Sequence, residues 1–152
     1  MTTYYDNPLL DELGRRLLRL LADDPRRPAS DLARALGVSA PTVRERMRRL
    51  CEAGIVRGFR LDLDPAALGL PIAAWVRLRP GPGQMSRIAD LARRTPSVTQ
   101  CYRISGEDCF LFLVHVPAMA DLEDVLDRFL VYGQTTSSLI VSVPVPPRPI
   151  PV

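Results

Sequence analysis

The 152-residue sequence predicts an α+β protein in two parts, a helical N-terminal half followed by a half in which strands and helices alternate. Three observations predict it. Leucines at helical spacing occupy the first fifty residues. Turn residues then gather at 64–71, from Asp64-Pro65 to Gly69-Leu70-Pro71. Beyond them the apolar runs read strand, helix, strand, strand, helix, strand. The composition, 47% hydrophobic and 24% charged, is that of an ordinary globular chain able to fill such cores.

The first helix is expected to begin near Leu9, because Leu10, Leu13, Leu17, Leu20 and Leu21 keep helical spacing, and to stop at Asp23-Asp24-Pro25. A short second helix follows, with Ser30 as its expected N-cap, Leu32, Ala33 and Leu36 facing inward, and Gly37 permitting a sharp turn. The third helix has both ends written in. Ser39 is a good N-cap and Pro41 is tolerated in the first turn. Gly54 is a plausible C-terminal stop, and Val43, Met47 and Leu50 form one buried stripe. A short helix, a glycine turn and a helix opening on small or polar residues make a helix-turn-helix. In that motif the second helix lies in the major groove of double-stranded DNA, with its first residues at the base edges. Ser39, Ala40 and Thr42 are short enough for that approach, while Arg44, Arg46, Arg48 and Arg49 can fork onto phosphates or guanines. From Ser39 to Arg60 there are six arginines and only two acids, Glu45 and Glu52. Next, 55–63 alternates around Phe59, Leu61 and Leu63 as a strand or wing would, and Arg57 and Arg60 stand in it as further phosphate contacts or as plain surface.

The basic character is local, since net charge is only +3 although all twenty basic residues are arginine. No apolar run approaches the ~18 residues of a membrane span. Residues 1–7 are polar and unlike a signal peptide, so the expectation is a cytoplasmic, nucleoid-associated protein with no membrane partner. Cys51, Cys101 and Cys109 are odd in number and lack metal-site spacing, so they are expected to be reduced core residues. No cofactor or metal is implied.

In the second half, strands are expected over 72–79, 98–104, 109–116 and 137–143, and helices over 85–95 and 122–132. The short turn at 105–108 makes the middle strands an antiparallel hairpin. The order β-α-β-β-α-β is the ferredoxin-like split motif, with both helices on one sheet face. Trp75, Val76, Leu111, Leu113 and Ile140 are too apolar to leave the other face wet, which predicts a homodimer formed through it. Five prolines in 143–152 predict an extended polyproline tail. The expected layout is a DNA-binding domain with its connecting strand over 1–64, a linker over 65–71, an effector-binding and oligomerisation domain over 72–143, and the tail over 144–152.

From Leu10 to Val143 the chain resembles the Lrp/AsnC, or feast/famine, transcriptional regulators. The markers are Leu10-Asp11, Asp24 with Arg26, Leu32-Ala33, Gly37-Val38-Ser39, Arg46-Met47-Arg48-Arg49-Leu50, Gly54-Ile55-Val56-Arg57-Gly58-Phe59, Leu68-Gly69, Ser105-Gly106 and the Thr/Ser run from Thr135 to Ser138. The resemblance implies a winged helix-turn-helix, a C-terminal effector domain, and dimers assembling into rings, often octamers. It also implies a small-molecule effector, an amino acid or related metabolite, in a cleft between dimers. Ser105, Gly106, Glu107 and Asp108 would border that cleft, as would Gln134, Thr135, Thr136 and Ser137. Two carboxylates on the first segment suit the effector's ammonium, and donors on the second suit its carboxylate. Two departures stand out. Gly14 replaces an Asp common in the family's first helix, which should loosen that helix slightly. At the hairpin, Gly106-Glu107-Asp108-Cys109-Phe110 puts Cys109 at the family's usual acidic position, so Asp108 or Glu107 substitutes or the ligand differs.

Two other functions share these features. An architectural protein that compacts DNA without a specific effector needs the same helix and the same rings. A branch of similar architecture, the siroheme decarboxylases, works on tetrapyrroles with histidines, and this chain has one, His115. No Ser-His-Asp set, phosphate-binding glycine loop or metal cluster is visible, so no enzyme is expected.

Overall fold

A computed structural model describes residues 7–152, so most of the polar stretch that argued against a signal peptide lies outside the described residues. The chain divides into two compact units, one running to Leu61 and including Pro147–Val152, the other Asp62–Pro146.

In the first unit a single 3-10 turn, Pro8–Leu10, leads into helix α1, Glu12–Asp23, followed by α2, Ala29–Leu36, and α3, Ala40–Glu52. Asp11 caps α1 by accepting from the Gly14 N–H at 2.8 Å. Gly14, expected to loosen this helix, sits where the chain folds back on itself. A Cβ there would lie 1.9 Å from the Leu9 carbonyl oxygen, so only glycine fits. Helix α2 starts earlier than expected. Pro28, with φ preset at −59°, is the N-cap, its carbonyl accepts from Asp31 and Leu32 N–H at 3.0 Å each, and Ser30 lies inside the first turn without capping. Gly37 takes the left-handed conformation at φ 70°, which ends α2 and turns the chain into α3. Leu17, Leu32, Leu36, Val43 and Leu50 are buried together, with Met47 packed at the edge. Burial of each leucine stabilises the unit by roughly 1.5–3 kcal/mol before entropy is counted.

The alternating stretch after α3 is neither helix nor strand. Ile55 and Val56 pack against the helical core, but Phe59, Leu61 and Leu63 are exposed, because an alternating strand needs a pairing partner and none exists within the protomer's described residues.

The second unit holds strands β1 (Ile72–Pro80), β2 (Val98–Arg103), β3 (Phe110–Val116) and β4 (Gly133–Leu139), with helices α4 (Met85–Arg93) and α5 (Met119–Leu130). The sheet order is β2-β3-β1-β4 and every pairing is antiparallel, which is the expected ferredoxin-like arrangement. Ala74, Val76, Leu78, Phe110, Phe112, Val114 and Val116 point from β1 and β3 to one face, where Ile88, Ala92, Leu122, Val125 and Phe129 of the two helices cover them. The rings of Phe112 and Phe129 lie 4.8 Å apart at this core's centre. Val76, expected on the open face, is therefore in the core, 1% exposed. The open face carries Trp75, Leu111 and Leu113, half-buried.

Helix α1 begins at Glu12, three residues after the expected start near Leu9, and two boundaries of the second unit moved as well. Helix α5 begins three residues before the expected start, because Asp121 accepts from the Ala118 N–H at 3.0 Å and organises the first turn after Pro117. Strand β4 is the polar run from Gly133, not the apolar run ending at Val143. Its pairing with β1 finishes at Ala74↔Leu139, one further bond joins Ile140 N–H to the Ala73 carbonyl, and β1 is preceded by Pro71, which has no N–H to continue the ladder. The proline tail is neither helix nor strand. Cys51 and Cys101 are exposed and Cys109 is half-buried, so the cysteines are not core residues as expected; all three are free. No helix among the described residues is long and apolar enough to cross a membrane.

Candidate nucleic-acid interface and effector site

Helix α3 is held by its stripe and by both ends. Ser39 Oγ accepts from the Thr42 N–H at 3.3 Å and lies 2.7 Å from Thr42 Oγ1, so the two hydroxyls at the exposed start of the helix are tied together. Ala53 caps the other end and Gly54 takes φ 70° just beyond. Ala40 is half-buried, and Thr42, Arg44, Glu45, Arg48 and Arg49 are exposed.

The arginines separate into distinct environments. Arg46 turns inward, its side chain only 15% exposed, and pairs with the Asp11 carboxylate at the start of α1. Arg48 is clamped by Glu45, at 2.7 Å, and by Glu52 one turn further on. Hydrogen bonding from Arg48 holds the Glu45 carboxyl below its usual range, so that acid stays ionised beside it. Arg49 has only a loose approach to Glu45, 3.9 Å. Arg44 and Arg57 are exposed and have no acidic partner among the described residues. In and just after the helix, available positive charge therefore lies at Arg44, Arg49, Arg57 and Arg60 rather than evenly along it.

In the second unit the two expected effector segments flank a feature the sequence reading passed over. Arg77 and Arg79 project from β1 on the open face, alternating with buried Val76 and Leu78. On one side β4 sets Thr136 opposite Arg77 and Gln134 opposite Arg79. On the other, the hairpin turn brings Glu107 into an ion pair with Arg79, while Asp108 lies 3.8 Å from Arg77 and 4.0 Å from Arg79. Thr135 and Ser137 pair with Leu78 and Val76, so they lie on the helix-covered face and do not join this corner. Ser105 and Gly106 form the turn, Gly106 at φ 104°. Cys109, at the usual acidic position, takes φ 51°, rare for a residue with a side chain, and its thiol faces the Gly106 carbonyl at 3.5 Å. The strict period of two in 74–79 was the signal that places both arginines outward.

His115 lies on the open face beside Ala73 of β1, and its Nδ1 is 2.9 Å from Thr99 Oγ1. Burial pushes its pKa down, favouring the neutral ring. A shallow cavity of about 320 Å³ opens between α4 and β2 beside Arg93, Cys101 and Arg103, and none of the expected effector residues lines it. Among the described residues no cluster of three His, Cys, Asp or Glu is arranged to hold a metal ion.

A capped helix-turn-helix followed by a ferredoxin-like domain defines a two-domain DNA-binding protein. Comparison with known proteins agrees unit by unit. Residues 10–57 match the winged helix-turn-helix DNA-binding family model, and residues 73–150 match the Lrp/AsnC ligand binding domain. The chain is 34% identical over 139 residues to the HTH-type transcriptional regulator LrpA of Mycobacterium tuberculosis, covering 90% of this chain and 93% of that one. It is 39% identical over 132 residues to AldR of Mycolicibacterium smegmatis, covering 85% and 75%. Among solved structures, the feast or famine regulatory protein from M. tuberculosis complexed with L-methionine superposes with a TM-score of 0.87 at 32% identity, covering 94% and 99%. LrpC of Bacillus subtilis gives 0.83 at 28% identity, covering 88% and 96%. The chain belongs to the Lrp/AsnC family, and it is a DNA-binding transcriptional regulator with a small-molecule-binding C-terminal domain.

Proposed function

We propose that this regulator reads operator DNA with the start of α3, assembles as a homodimer and higher ring, and changes its DNA occupancy when an amino acid binds at the Arg77–Asp108 corner. Ser39, Ala40 and Thr42 meet base edges, while Arg44, Arg49 and Arg57 hold phosphates. Arg46 and Arg48 act chiefly inside the protein, setting the pitch of α3 against α1 and neutralising Glu45 and Glu52. The observation that carries the DNA reading is the division of the arginines: Arg46 and Arg48 are held by acids and brace the helix, while Arg44, Arg57 and the loosely approached Arg49 are exposed. The effector reading is supported by the convergence of the hairpin acids and the Gln134/Thr136 donors on one pair of arginines, and by the L-methionine complex of the M. tuberculosis relative. Assembly is supported by the half-buried Trp75, Leu111 and Leu113 on the uncovered sheet face and by the exposed apolar residues after α3.

Genome-wide DNA occupancy, measured with and without added amino acids, tests the whole reading. Discrete sites whose occupancy changes with one amino acid are expected. Dense, sequence-indifferent occupancy that no amino acid alters would instead identify an architectural DNA-binding protein.

A further inference from the structure

We infer that the effector is an amino acid carrying a second carboxylate, of the aspartate or glutamate class. This rests on the reading of the Arg77–Asp108 corner as the effector site, and it comes from the two adjacent arginines there and the unequal hold of their two acids. Arg77 and Arg79 stand two residues apart on one face of β1, about 7 Å along the strand. Each presents a planar fork suited to a carboxylate. One carboxylate and one ammonium would occupy a single arginine and a single acid. Two arginines side by side give a second carboxylate its own counter-charge.

The present partners of those arginines are unequal. Arg79 and Glu107 have side chains 50% and 78% exposed, so that pair is held weakly and its acid returns to water at little cost. Asp108 is the more sheltered acid, 33% exposed, and faces both guanidiniums from 3.8 and 4.0 Å. An incoming dicarboxylate displaces Glu107, seats one carboxylate on each arginine and presents its ammonium to Asp108. Gln134 and Thr136, directly across β1 from Arg79 and Arg77, supply neutral donors to the same oxygens. A ligand without a second acid would leave Arg79 on its exposed partner Glu107 and gain nothing from it.

The acid and its amide separate these possibilities, because L-glutamate and L-glutamine share shape and differ in one charge. Calorimetry of the full chain is expected to show glutamate or aspartate binding, with glutamine and leucine roughly tenfold weaker or worse, the worth of one charge-assisted contact. In Arg79→Gln and in Arg77→Gln, both exposed substitutions, the preference for glutamate over glutamine should collapse while circular dichroism stays unchanged. Glutamine or leucine bound as tightly as glutamate, or a preference that survives in both variants, overturns the inference and leaves the corner as the site of another amino acid. No heat with any amino acid overturns both the inference and the effector reading beneath it.

Discussion

Arg46, in the helix proposed to read DNA, is ion-paired to Asp11, the residue that caps the first helix. One carboxylate thus starts α1 and fixes the position of α3, linking the capping chemistry of a structural helix to the placement of the DNA-reading one. The Asp11 carboxyl is held below its usual range first by the hydrogen bond from the Gly14 N–H and then by Arg46. Asp11→Ala should destabilise the fold by at least about 1 kcal/mol, the usual worth of an N-cap, and by more because it leaves the sheltered Arg46 guanidinium, 15% exposed, without its partner. A group whose folded pKa is depressed contributes fully above its unfolded value and loses that contribution as pH falls through the folded one. The gap in melting temperature between wild type and Asp11→Ala should therefore be full at neutral pH and narrow below about pH 4. A gap constant down to pH 2 would contradict this.

Gly14→Ala is a sharper test of the same corner. Ordinarily alanine stabilises a helix relative to glycine, but here its methyl would collide with the Leu9 carbonyl. Overpacking of this kind costs about 1–3 kcal/mol, which lowers the melting temperature by several degrees in a small domain. An equal or raised melting temperature would show that the turn before α1 yields easily.

The same residue illustrates what the sequence could and could not convey. Elements with local signals were legible: Ser39 with Pro41 marked the start of α3, and the order of apolar runs carried the ferredoxin-like topology. Features set by contact across the chain were not. Gly14 looks like a weak helix residue until Leu9 is seen above it. Arg46 looks like its neighbours until Asp11, 35 positions away, claims it. The Thr/Ser run from Thr135 looks like a loop because edge strands tolerate polar side chains, and only its register with β1 separates Gln134 and Thr136 from Thr135 and Ser137. Arg77 and Arg79 were legible in principle, since alternation with Val76 and Leu78 sends them outward. Reading Trp75 and Val76 onto one face obscured that alternation.

Assembly is open to direct measurement. Light scattering should return a multiple of the 16.9 kDa protomer at micromolar concentration. Leu113→Arg on the open sheet face should lower that mass while preserving the far-ultraviolet circular dichroism. A wild-type mass of 16.9 kDa would contradict the proposed homodimer.

The salt dependence of DNA binding tests the central claim most directly. On an operator fragment recovered from genomic occupancy, each phosphate-binding arginine contributes about one to the slope of log K against log salt. The double variant Arg44→Ala/Arg49→Ala should lose roughly two from that slope and weaken binding to all sequences alike. Arg48→Ala, whose charge is already answered by Glu45 and Glu52, should change it little. A double variant with wild-type slope and affinity would contradict the account and place the DNA on another face.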